Sequence, residues 1–158
     1  MSADLATKIQ LGLEQLAIVR EQLSPLIAKR SDSNVGDIET AAACAMLHSF
    51  YTEIEKIFKL IAREWDRDMP TSNAWHKELL IQMSSPTITR PAVLTSDLVE
   101  VLSEFLAFRH LFRGASIALM RWNKVFPLLA KVDQTHGHVS QDLKSFQAFL
   151  RSRSEPAQ

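Results

Sequence analysis

Apolar side chains recur along this chain at spacings of three and four residues, the period of one helix face, in each of its long stretches. Leu5, Ile9, Leu13, Leu16, Val19 and Leu23 share one side of a first helix that Ser2 is placed to cap. That helix is expected to run to about Lys29, with Pro25 kinking or ending it, and the polar stretch Arg30 to Gly36 reads as a loop. A long second helix is expected from about Asp37 to Asp66. Its stripe runs through Ile38, Ala41, Ala45, His48, Tyr51 or Thr52, and Glu55, while Ile54, Ile57, Phe58 and Ile61 fill the neighbouring face. Arg67 to Ser72, with Pro70, breaks that helix; Thr71 or Ser72 caps a short third one ending near Met83, with Trp75, Leu79 and Met83 inward. SSPTITRPAVLT (Ser84 to Thr95), with prolines at 86 and 91, is the longest irregular segment, where a strand at Ile88 stays open but has no second strand to pair with. Thr95 or Ser96 caps a fourth helix that Gly114 ends or bends. A fifth helical stretch begins near Met120 with Trp122, Val125, Phe126 and Leu129. The pattern predicts an interruption at Gly137 and a resumption from Val139 to Arg151 carrying Leu143, Phe146, Phe149 and Leu150. The expected fold is an all-α, antiparallel four- to five-helix bundle forming one domain over residues 1–158, with a frayed tail from about residue 152.

The fourth helix breaks its own pattern. Leu98, Leu102 and Phe105 define an inward stripe, and continuing it reaches Arg109, Arg113 and Ser116. A guanidinium keeps its proton and is costly to bury without a carboxylate, a phosphate or water. Either the two arginines turn outward or pair with a glutamate of the second helix, or the stripe is built to hold an anion. On the second helix, His48, Tyr51 and Glu55 share one side at the edge of an apolar surface, which makes them candidates to bind or orient a ligand.

Composition narrows the field. A content of 46% hydrophobic residues with four Gly and six Pro in 158 residues suits a helical globular domain that needs no disulfide or metal to fold. The single cysteine, Cys44, lies among alanines and is expected to be a small buried hydrophobe in a reducing cytoplasm. The N-terminus lacks the features of a secretion signal, and no apolar run approaches the roughly 20 residues that span a bilayer, so a soluble cytoplasmic protein is expected. The formal net charge of zero hides an asymmetry. Residues 1–104 hold 10 Lys/Arg and 15 Asp/Glu, a net of −5, and residues 105–158 hold 8 and 3, a net of +5. Five basic residues and no acidic one fall between Phe105 and Lys131. Such a field attracts phosphates, or the acidic half of the same chain or of a second copy. There is no phosphate-cradling glycine loop, no Gly-x-Ser-x-Gly elbow, and only the pair His136 and His138 to suggest a metal, so no cofactor or metal is expected.

The segment FRHLFRGAS (Phe108 to Ser116), taken with HSFYTEIEKIFKLIA (His48 to Ala62), AWHKELLIQM (Ala74 to Met83), RPAVL and RWNKVFPLL, resembles HepT-like proteins of the HEPN superfamily over roughly residues 40–150. The resemblance implies a helical bundle, commonly homodimeric, and for many members a metal-independent endoribonuclease toxin. It also implies a partner: a minimal nucleotidyltransferase (MNT-type) antitoxin, which in some systems silences the toxin by adding AMP.

The family signature is an arginine, a polar residue, then a histidine several positions on, often followed two residues later by tyrosine. Arg109 and His110 fit the first two positions, whereas Gly114 and Ser116 stand where the histidine and tyrosine would be. In one account His110 supplies proton transfer, Arg109 and Arg113 grip the phosphate, and Glu55 orients a guanidinium across the bundle. His110 lies 100° round the helix from Arg109, so the two converge only through a bend or a dimer mate. In the other account catalysis has been lost and the arginine groove binds RNA, a nucleotide or the partner protein without turnover. His48 and His76 read as hydrogen-bonded structural residues.

Overall fold

The computed structural model describes residues 2–114 and 117–154. Among them the chain forms six α-helices: α1 (Ser2–Ile27), α2 (Asp37–Ile61), α3 (Trp75–Ser84), α4 (Ser96–Gly114), α5 (Trp122–Leu129) and α6 (Val132–Ser152). A π-helical turn, Ala62–Asp66, extends α2, and a 3₁₀ turn, Ile117–Leu119, precedes α5. Polar pairs give the directions. Lys8 near the start of α1 donates to Glu64 beyond the end of α2 at 2.9 Å, and Arg20 near its far end pairs with Asp133 at the start of α6 at 2.7 Å. The Ser2 and Ser154 hydroxyls meet, so α1 runs antiparallel to both. Thr95 bonds Asp142 while Glu104 takes Lys131, so α4 is antiparallel to α6. The expected all-α bundle is what the chain forms.

Burial follows the apolar stripes. Leu5, Ile9, Leu13, Leu16 and Leu23 of α1 face Leu47, Phe50, Ile54, Ile57, Phe58 and Ile61 of α2, with Leu98, Leu102 and Phe105 of α4 and Val139, Leu143, Phe146 and Leu150 of α6 closing one core. Cys44 is a free, buried thiol within it.

Three local expectations are corrected, and one alternative left open, at Ile88, is decided in favour of the irregular segment expected there. The first half of α2 is rotated: Thr40, Ala43, Cys44 and Leu47 face inward, and Ile38 is 87% exposed. These positions continue the bulkier stripe of Phe50, Ile54 and Ile61, and that stripe sets the helix face. The chain does not break at Gly137. It turns at Ala130 and Lys131, and α6 runs unbroken through the glycine because Val132, Thr135, Val139 and Leu143 hold one buried face while Gly137 points to solvent. Ile88 lies in an irregular, exposed segment and forms no strand. The Thr95 hydroxyl does not cap α4 but meets Asp142 and His138 of α6.

The connection between α2 and α4 is set by one buried ion pair. The π turn ends at Arg67 in the left-handed region (φ 56°) and presents Asp66. Arg90 closes on Asp66 with Nε at 2.6 Å and Nη2 at 2.7 Å, and donates further to the carbonyls of Ser85, Pro91 and Gln82. Gln82 Nε2 also donates to Asp66 at 2.7 Å. Every arm of this guanidinium is met, and the pair fixes the segment between α3 and α4 and, through Gln82, α3 itself.

Candidate functional site

A second buried guanidinium is held quite differently. Arg109 continues the stripe of Leu98, Leu102 and Phe105 on α4 and is only 8% exposed. Its Nη1 lies 3.3 Å from Nε2 and 3.5 Å from Nδ1 of His76, on α3. A donor on the in-plane axis of one ring nitrogen would stand much farther from the other, so these near-equal distances put the guanidinium over the imidazole face. Trp75 stacks on the same ring at 3.5 Å between centroids and 28° between planes, which leaves Arg109 the opposite face. Lys59 of α2 lies 4.6 Å from the Trp75 ring centre. The edge of the imidazole is fixed by Glu55 of α2, 1% exposed, whose Oε2 is 2.7 Å from Nδ1. A carboxylate only accepts, so Nδ1 carries the proton and Nε2 the lone pair. His110 stands edge-on to His76 at 5.6 Å and 83°.

Burial is what favours the neutral form of the ring. Burial lowers the His76 pKa below 6.5; Glu55 opposes this, while Arg109 and His110 reinforce it. Burial likewise lowers His48, with Arg109 and Arg113 adding to the effect against Glu55. The cluster is also incompletely paired: Arg109 Nε, His48 Nε2 and the Tyr51 hydroxyl are buried without a hydrogen-bond partner among the described residues. Buried polar groups are normally satisfied, so this concentration of open donors and acceptors marks the place as unlike the rest of the core.

A family model described as HepT-like protein matches residues 42–150. The chain belongs to the HepT-like family. No curated protein and no solved structure matches it. The match runs from within α2 almost to the end of α6 and includes every residue of the cluster.

For this HepT-like chain the structure brings Glu55, Arg109 and His110 together, but through a residue read from sequence only as structural. Glu55 orients the His76 imidazole, and that ring is what touches the guanidinium. The 100° between Arg109 and His110 is bridged the same way, since both approach His76. His48 is half-buried and lies 5.7 Å from the Phe112 ring. Tyr51 is wholly inside the core, where burial pushes its phenol well above its usual pKa of 10.0. Arg113 does not follow Arg109 inward; it is exposed and pairs with no carboxylate among the described residues. Ser116 lies outside the described residues. The only sequence signal for His76 was its place in AWHKELLIQM, because a lone histidine on a ten-residue helix has no pattern of its own. Among the described residues no group of three His, Cys, Asp or Glu side chains is arranged to hold a metal ion, and no helix is long and apolar enough to cross a membrane.

Proposed function

We propose that this HepT-like protein acts on RNA at the Arg109 end of α4, cleaving the phosphodiester backbone without a metal. One observation carries the reading: Arg109 is buried with Nε open and its charge met by a neutral imidazole instead of a carboxylate, beside the exposed His110 and Arg113. A permanent charge held this way has no counter-ion, and an RNA phosphate supplies one. Attack by a ribose 2′-OH on its own phosphate, with Arg109 and Arg113 stabilising the developing charge and His110 protonating the departing 5′ oxygen, leaves a 2′,3′-cyclic phosphate and a 5′-OH. Two copies pair so that both arginine sets line one cleft, a reading supported by the exposed Leu111 on the same helix, 58% accessible.

In this reading a nucleotidyltransferase antitoxin neutralises the protein by means other than AMP on tyrosine. The chain has one tyrosine, Tyr51, and it is sealed in the core. The purified protein is expected to cleave RNA in EDTA, and Arg109→Ala to lower the rate by about 100-fold or more, as loss of a charge-stabilising donor does. Undiminished cleavage by that variant removes Arg109 from the mechanism. Gly114, in the place of the family histidine, favours a second reading, salt-sensitive RNA binding without turnover, which the same assay separates.

A further inference from the structure

We infer that His76, held by Glu55, is the general base of this site, supplied from α3 in place of the histidine that α4 lacks. The inference rests on the ribonuclease reading above and names which group takes the 2′-OH proton. The geometry is that of an oriented base. Glu55 Oε2, 2.7 Å from Nδ1, fixes the tautomer and the ring plane. Trp75 and Arg109 clamp the two faces and prevent rotation. What remains is the Nε2 lone pair, in the ring plane and beside the guanidinium that would hold the phosphate. The groups facing the ring are Glu55 from α2 and Arg109 and His110 from α4, with Lys59 of α2 behind Trp75. Burial disfavours the imidazolium against the pull of Glu55, and the cation over the imidazole face adds to it, so the ring is a neutral base at neutral pH.

The step balances without a co-reactant. His76 Nε2 takes the 2′-OH proton as the O2′–P bond forms, the P–O5′ bond breaks, and the leaving oxygen takes a proton from His110. The two histidines then return to their starting states by exchange with water. Glu55 is a positioning residue, since it touches the imidazole and not the RNA.

The decisive experiment follows cleavage of RNA in EDTA against pH for the wild type, His76→Ala, His76→Gln and Glu55→Gln, with Arg109→Ala as reference and melting curves to establish folding. His76→Ala is expected to lose about 10²- to 10⁴-fold in kcat with KM little changed, to lose the acid limb of the profile, and to recover partly with added imidazole. Glu55→Gln is expected to keep measurable activity and to shift the acid limb to lower pH, because the carboxylate raises the imidazole's proton affinity. Full activity with an intact acid limb in a folded His76 variant overturns the assignment while Arg109→Ala, if inactive, leaves the ribonuclease reading standing. A wild type that binds RNA without cutting it overturns both. Nitrogen NMR of the unmutated protein gives an answer independent of variant folding: a neutral ring protonated on Nδ1 is expected, and a ring protonated on Nε2 at neutral pH overturns the base.

Discussion

Arg90 and Arg109 are both buried guanidinium groups, and the chain treats them in opposite ways. Arg90 is matched arm for arm by Asp66 and three carbonyls, whereas Arg109 has an open Nε and a neutral ring for company. The first is an internal brace, and breaking one side of such a pair costs about 3–5 kcal/mol because a charge is left stranded. Arg90→Met is expected to lower the unfolding free energy by that amount in urea titrations, and Arg109→Met to change it little or raise it, as residues kept for function often do. Equal losses would mean that Arg109 is a brace as well. At this scale the sequence showed half of the site. Arg109 stood out because it interrupts a leucine stripe. His76 did not, because its contacts with Glu55 and Arg109 join residues 21 and 33 positions away, and no local period encodes that.

Among the elements, the two glycines Gly12 and Gly137 make the same contrast between a residue type and its surroundings. Gly12 lies where α1 meets α2, and a Cβ there would stand 2.7 Å from Cγ1 of Ile57; at Gly137, on the solvent side of α6, it would meet nothing within 4 Å. Gly12→Ala is expected to destabilise by about 1–3 kcal/mol through overpacking, despite the better helix former. Gly137→Ala is expected to stabilise by about 1 kcal/mol through helix propensity alone. Thermal melts of the two variants check both signs. The misplaced break at Gly137 has the same origin. Propensity marks a glycine as a weak point, but the continuous face from Val132 to Leu150 outweighs one solvent-facing residue. The rotated start of α2 was hidden for a related reason: alanines fit either face, and only the partners on other helices choose between them. Helix order and most inward faces were nonetheless legible, since long stripes at spacings of three and four admit few alternatives.

For the molecule as a whole, the charge asymmetry is only partly spent within the chain. Lys131 is taken by Glu104 at 2.6 Å, and Arg20 by Asp133, while Arg113 and Lys124 find no carboxylate among the described residues. Arg113, one turn beyond Arg109 on α4, therefore leaves uncompensated positive charge beside the Arg109 cluster. The function proposed for this HepT-like protein, cleavage of RNA whose ribose takes part in the reaction, rests on this unfinished polar cluster. The most direct measurement compares an RNA oligonucleotide with its fully 2′-O-methylated counterpart, both incubated with the wild-type protein in EDTA. Cleavage of the first alone, leaving 2′,3′-cyclic phosphate and 5′-OH ends, is the predicted result; cleavage of neither, or of both alike, would contradict the account.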